Sequence, residues 1–308
     1  MKKILLLLAI IGAFTLQAQQ FEVVKTQKIK VEGTHYHPLF MPDGRSLLVS
    51  GESFDGLGII NLSTGKFRQI TNEAGAGYMP SIQNDDKTVV YRTIDFASQK
   101  QILNAFDTEN FRNRQIGYLY EHVNRLNAVG GDVCYAENGI VKSSSVIAGS
   151  RIKKSVPRNA GIYVTEEDLK VVVYNNGVRT VIDPLSTPER DVNYCWSSIS
   201  PDKTKIMFVG GNNAYICNLD GSNLVELGLL HAPVWRGNDY VVGMVDEDDG
   251  HQFTKSDIVI MDVNGGKRQQ LTQPSDEIKM YPSVSSDGSK IAYHTTEGSI
   301  YLMTIKET

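Results

Sequence analysis

The sequence predicts an all-β propeller built from four-stranded antiparallel blades. Three observations carry this prediction. Short runs of alternating apolar residues fill the chain, 27 glycines punctuate them, and long amphipathic helical windows are missing. One unit recurs, and its clearest copy spans residues 279–305: a strand at Tyr281–Val284, a turn at Ser286-Asp287-Gly288-Ser289, a strand at Lys290–His294, and a last strand at Ser299–Ile305. The first apolar residue of each second strand is Leu47, Val89, Val133, Val171, Ile206, Val241 or Ile291. Their mean spacing is about 41 residues, a blade length in propellers.

The first copy starts at His37-Pro38 and continues through strands at Ser46–Ser50, Gly58–Leu62 and Lys66–Thr71. The second starts at Tyr78-Met79-Pro80 and continues through Thr88–Arg92 and Ile102–Phe106. Copies three and four are degraded, over residues 125–154 and 162–183. Copies five and six are clear again, from Ser197 to Leu227 and from Pro233 to Thr272. The expected ring is seven-bladed, or six-bladed if copies three and four merge. One four-stranded sheet cannot bury both its faces, so the units must stack, and a ring removes the exposed ends.

The last copy lacks a fourth strand. Phe21–Val31 belongs to no copy and is β-prone, so it is expected to pair with Tyr301–Ile305 and clasp the ring shut. Residues 1–18 read as a signal peptide: Lys2-Lys3, an apolar run from Ile4 to Phe14, and Ala18 for cleavage. The run is shorter than the ~20 residues of a membrane span. Residues 19–308 are then one exported propeller domain, periplasmic or secreted, with no membrane span after cleavage.

Lys and Arg number 31 against 35 Asp and Glu, and the net charge is −4. A mildly acidic chain without a basic run argues against nucleic acid as a partner. Cys134, Cys195 and Cys217 sit in apolar strand patterns, where cysteine behaves as a small buried hydrophobe. A Cys195–Cys217 disulfide within copy five is an alternative reading.

The full run Pro-x-apolar-x-Pro/Ser-Asp-Gly occurs as Pro38-x-Phe40-x-Pro42-Asp43-Gly44 and Pro282-x-Val284-x-Ser286-Asp287-Gly288, and parts of it as Pro80-x-Ile82, Ile199-x-Pro201-Asp202 and Pro233-x-Trp235. This run resembles the WD40-like PD40 repeat of the TolB-like propeller family. The resemblance implies a propeller that serves as a binding module. Related peptidases add a hydrolase domain with a G-x-S-x-G elbow, and that motif does not occur here.

In a propeller the starts of the inner strands and the loops between second and third strands share one rim around the axis. The copies place all six histidines there. The expected ligand-binding set at this mouth is His35, His37, Tyr78, His122, Asn124, Arg125, Asn193, Tyr194, His231, Tyr281 and His294. His35-x-His37 would present two imidazoles from one side of a strand, and with His231 these could hold a divalent metal. No other cofactor and no catalytic residue is expected. Trp235 falls at an apolar core position, Asp246–Gly250 reads as a solvated hairpin tip, and Glu166-Glu167-Asp168 reads as surface. The expected function is an exported module binding a protein, peptide or glycan of the cell envelope. The alternative is a metal-dependent lyase or hydrolase acting on an anionic saccharide. Oligogalacturonate lyases look similar in architecture.

Overall fold

Apolar alternation is realised as seven antiparallel sheets among the residues that the computed structural model describes: 20–83, 86–120, 123–129, 131–137, 140–146, 161–266 and 268–308. The predicted leader, His122 and the strand expected over residues 151–154 lie outside the described residues. Blade one comprises Tyr36–Phe40, Ser46–Ser50, Leu57–Asn61 and Phe67–Thr71. Blade two comprises Ser81–Ile82, Thr88–Asp95, Lys100–Asp107 and Arg112–Leu119. Blades three and four have three strands each among the described residues: Asn127–Val129, Asp132–Glu137 and Ile140–Ser145, then Ile162–Glu167, Lys170–Asn175 and Val178–Ile182. Blade five comprises Tyr194–Ile199, Lys205–Gly210, Asn213–Asn218 and Val225–Leu229. Blade six comprises His231–Arg236, Tyr240–Asp248, Phe253–Asp262 and Arg268–Gln270. Blade seven comprises Lys279–Val284, Lys290–Thr295 and Ile300–Glu307, with Phe21–Lys28 as its outer strand. The ring is therefore seven-bladed.

The core lies between blades, not within them. Each of seven apolar clusters spans one seam between ring neighbours, including the seam from blade seven back to blade one. The second strands make this work. Leu47 packs toward blade seven and its neighbour Leu48 toward blade two, and the same split holds for Val89 and Val90, Ile206 and Met207, and Ile291 and Ala292. A strand sends successive side chains to opposite faces, so one strand serves two seams. Burying each such side chain stabilises the fold by roughly 1.5–3 kcal/mol.

Blade four departs from the expected register. Its strand Ile162–Glu167 ends at the rim where the other first strands begin, because Glu166 and Leu169 line the same axial cavity as Tyr78, Cys195 and Tyr281. It therefore runs like a second strand. Tyr163 packs toward blade three and Val164 toward blade five, the split seen at Leu47 and Leu48. Tyr163, not Val171, is the equivalent marker. Second and third strands share one alternation period, so the pattern could not tell them apart.

The Asp-Gly turns close the opposite rim by side-chain hydrogen bonds. Asp43 Oδ1 accepts from the backbone N–H groups of Arg45 and Ser46 at 2.8 and 3.2 Å. Asp287 accepts from the Ser285 hydroxyl at 2.6 Å and the Ser289 N–H at 3.0 Å, and these bonds lower its carboxyl to about 2. The three cysteines are free thiols. Cys195 on the first strand of blade five pairs with Val209, whereas Cys217 on the third pairs with Ile206, so a second strand and an offset along it separate them. The disulfide reading is set aside.

The clasp forms as expected. Phe21 to Lys28 pair antiparallel with Glu307 to Tyr301, with a bulge between Val23 and Lys25. Phe21 is buried in the seam of blades six and seven, its ring edge-on to Tyr240 at 4.9 Å. Gln269 fixes its backbone by accepting from the Phe21 N–H at 2.9 Å and donating to its carbonyl at 2.6 Å. Deleting residues 19–31 should lower the melting temperature by many degrees, because it opens the ring. Phe21→Ala alone should cost ~3–5 kcal/mol, or on the order of 5–15 °C in Tm. A melt unchanged by the deletion dismisses the clasp.

Candidate functional site

The first strands of five blades carry the same local irregularity, and it builds the mouth. His37, Met79, Trp196, Ala232 and Tyr281 all have positive φ, between 43° and 52°. Pairing with the second strand slips beside four of them, between Tyr36 and Leu39, Cys195 and Ser198, His231 and Val234, and Met280 and Ser283. These are β-bulges, which re-aim a side chain out of the ladder. In four blades the next residue is proline: Pro38, Pro80, Pro233 and Pro282. Proline has no N–H, so the disrupted ladder leaves no orphan donor there. Blade five has Ser197 instead, and its buried N–H donates to Glu166 Oε1 at 2.5 Å. Glu166, 7% exposed, thus supplies what proline makes unnecessary elsewhere.

All five positive-φ residues line one axial cavity of about 790 Å³, to which every blade contributes. Along blades seven, one and two its wall is a run of rings. Tyr281 lies edge-on to His37 at 4.8 Å, His37 stacks on Phe54 at 4.1 Å, and Phe54 meets Tyr78 edge-on at 5.3 Å. Phe54 sits in a short 3-10 turn, Glu52–Phe54, with φ of 64°. The Gly77 N–H donates to the Phe54 carbonyl at 2.9 Å, and its missing side chain makes room for Ser50, whose Cβ would lie 2.2 Å from a Cβ there. Behind Tyr78 lies the Arg92 guanidinium, 5.3 Å from the ring centre. The wall of blades three to five carries the polar groups Asn124, Arg125, Asn127 and Glu166 among apolar Leu126, Leu169 and Trp196.

The sequence-predicted residues divide. His37, Tyr78, Asn124, Arg125, Tyr194 and Tyr281 line the cavity. Tyr194 turns its ring into the core of blades four and five and bonds its hydroxyl to Asp183 at 2.6 Å. His294 stands behind the wall, stacked on Tyr281 at 5.5 Å. Asn193 is exposed and is not among the cavity-lining residues. His35 packs on Phe67 at 4.5 Å and donates Nε2 to the Glu32 carbonyl at 2.9 Å. His231 Nδ1 lies 2.8 Å from Asp246, which is buried and not part of a solvated tip.

The metal set fails for a physical reason. The bulge at His37 breaks the two-residue alternation, so His35 and His37 diverge, and His231 is committed to Asp246. Among the described residues no three His, Cys, Asp or Glu side chains converge on a metal position. Trp196, Phe54, Met79 and Glu166 were missed. The signal for Met79 was the proline that follows it at the start of a first strand; Trp196 precedes Ser197 and Phe54 lies in a turn, so neither carried that signal. Glu166 had no signal, because its value depends on a backbone N–H from the next blade.

Both mouth histidines are held neutral. A carbonyl only accepts, so His294 donates Nδ1–H to Thr295 O at 3.0 Å, and its buried Nε2 has no partner among the described residues. A second proton would have no acceptor. Burial lowers His294 to about 4, and burial followed by the charge of His294 lowers His37 to about 3. Unfolded histidine binds a proton near pH 6.5. The stabilisation is therefore complete above about pH 7 and is lost as pH falls from 6.5 toward 4 and below. Relative to a His37→Asn/His294→Asn variant, in which the amide keeps the Nδ1 bonds, the wild type should lose more Tm between neutral pH and pH ~4.5. Parallel Tm profiles would dismiss the neutral pair.

The Glu166 bond gives a second measurable outcome. Glu166→Ala should cost ~1–3 kcal/mol by orphaning the Ser197 N–H. In a Ser197→Pro background the same change should cost clearly less by denaturant unfolding. Equal losses in the two backgrounds refute the proline-replacement account.

No family model matches the sequence, and no curated protein matches it. Among solved structures, TolB from Acinetobacter baumannii aligns with a TM-score of 0.53 at 16% identity. The match covers 81% of this chain and 56% of that protein. At this identity the likeness is one of fold: the chain folds as a TolB-like β-propeller.

Proposed function

We propose that the chain is an exported binding module whose axial mouth receives part of a protein, peptide or glycan partner in the cell envelope. The observation that carries this reading is the cavity: about 790 Å³, open, shared by all seven blades and walled on one side by rings. Its volume suits a bound ligand or segment. Tyrosine and tryptophan offer wide contact area at low entropic cost. Likeness to a TolB propeller supports an interaction role over catalysis. Export rests on the leader pattern of residues 1–18 and the PD40 assignment on the proline-apolar-Asp-Gly runs. Among the described residues no helix is long and apolar enough to cross a membrane. The lyase reading needed His35, His37 and His231 together, and their bonds hold them apart.

The test is capture from the native envelope fraction by immobilised wild type, a Trp196→Asn/Tyr281→Asn mouth variant and an Arg45→Ala control on the far rim. Asparagine tolerates the left-handed backbone at both mouth positions. A partner held by the wild type and control but not by the mouth variant is expected. Equal capture by all three removes the mouth from the interaction.

A further inference from the structure

We propose that the mouth recognises a single carboxylate carried on an apolar or aromatic body, with the carboxylate on Arg125 and the body against the rings of blades seven, one and two. This rests on the mouth being a binding site and names the ligand chemistry.

Arg125 lines the cavity, half-buried, and makes no hydrogen bond or ion pair with any described residue. A guanidinium has five donors and no acceptor role, so one left open toward a cavity is a ready partner for an anion. Its backbone is strapped. Arg92 donates to the carbonyls of Val123 and Asn124, and the Asn124 amide donates to the Glu166 carbonyl at 2.7 Å. Arg125 is thus presented from a fixed segment between blades two and four, which lowers the ordering cost of binding.

The surrounding charge favours one negative group. Arg92 is 2% exposed, with no carboxylate at ion-pair distance among the described residues. A buried, uncompensated cation beside the cavity strengthens its pull on an anion. Glu166, on the same wall as Arg125, contributes one negative charge, leaving one guanidinium in excess there. That balance suits a monoanion and disfavours a dianion such as phosphate. The planar fork of Arg125 matches a carboxylate bidentately. Two residues along, the Asn127 amide nitrogen has no acceptor among the described residues, so turning that amide toward the ligand breaks no bond with them. Opposite, Tyr281, neutral His37, Phe54 and Tyr78 offer an uncharged surface for the ligand's body.

Such a carboxylate comes from a free small acid or from the C-terminus of a peptide. Calorimetry with 4-phenylbutanoate and 4-phenylbutanamide, and with one Phe-terminated pentapeptide as free acid and as amide, separates these sources. The acid of the productive pair should bind at least tenfold tighter than its amide. In Arg125→Gln the acid should fall to the affinity of the amide, while the amide is unchanged. Arg125 makes no hydrogen bond or ion pair with a described residue, so the variant should melt like the wild type. Equal binding of acid and amide by the wild type, or an acid preference that survives Arg125→Gln, overturns the proposal. If that equal binding disappears in Trp196→Asn, the mouth remains a binding site and only the carboxylate inference falls. Absence of binding by all four probes also overturns the carboxylate inference, and the envelope capture then decides separately on the binding module.

Discussion

No blade of this protein can bury its own two faces, and everything else follows from that constraint. Each second strand places one apolar side chain in the seam behind it and the next in the seam ahead. Remove one blade and two seams lose their partner, so the units are stable only as a closed ring. Closure in turn requires a fourth strand for blade seven, and the strand that begins at Phe21 supplies it from the other end of the chain. The Gln269 side chain and the Phe21 ring tie that strand to blade six as well. The clasp is therefore a continuation of the seam packing.

The ring fixes where the first strands start, and the bulges decide what those starts present. A regular strand would hold its side chains in the seams. In four blades a residue with positive φ followed by proline instead turns a side chain to the axis and leaves no unpaired N–H behind. Blade five keeps the bulge without the proline and answers the resulting donor with a carboxylate from blade four. Backbone strain, ring stacking and a buried charge thus gather at one rim. The other rim is closed by Asp-centred turns whose hydrogen bonds are local. That asymmetry is the physical basis for assigning binding to the mouth.

Much of this was legible in the chain. The markers Leu47, Val89, Val133, Ile206, Val241 and Ile291 all proved fully buried at seams, because two-residue alternation is a local property that side-chain polarity reports directly. The seventh, Val171, fell one strand out of place where the repeat is degraded. Of the residues expected at the mouth, His37, Tyr78, Asn124, Arg125 and Tyr281 line the axial cavity. His35 and His231 were misjudged because rim membership does not say which way a ring points. His35 found a carbonyl three residues back, and His231 found Asp246 across its own blade.

The sequence by itself determined the repeat and its period, the orphan strand and that strand's partner, and left seven blades or six. Each depends on periodicity and on turn chemistry within a few dozen residues. Only the tertiary structure decided which side chains meet at the axis, that Glu166 is buried and bonded to Ser197, and that the three histidines stay apart. Those contacts join residues on different blades or across a bulge, and their energies depend on backbone direction and desolvation. Neither quantity is written in the identity of a residue or of its neighbours in the chain.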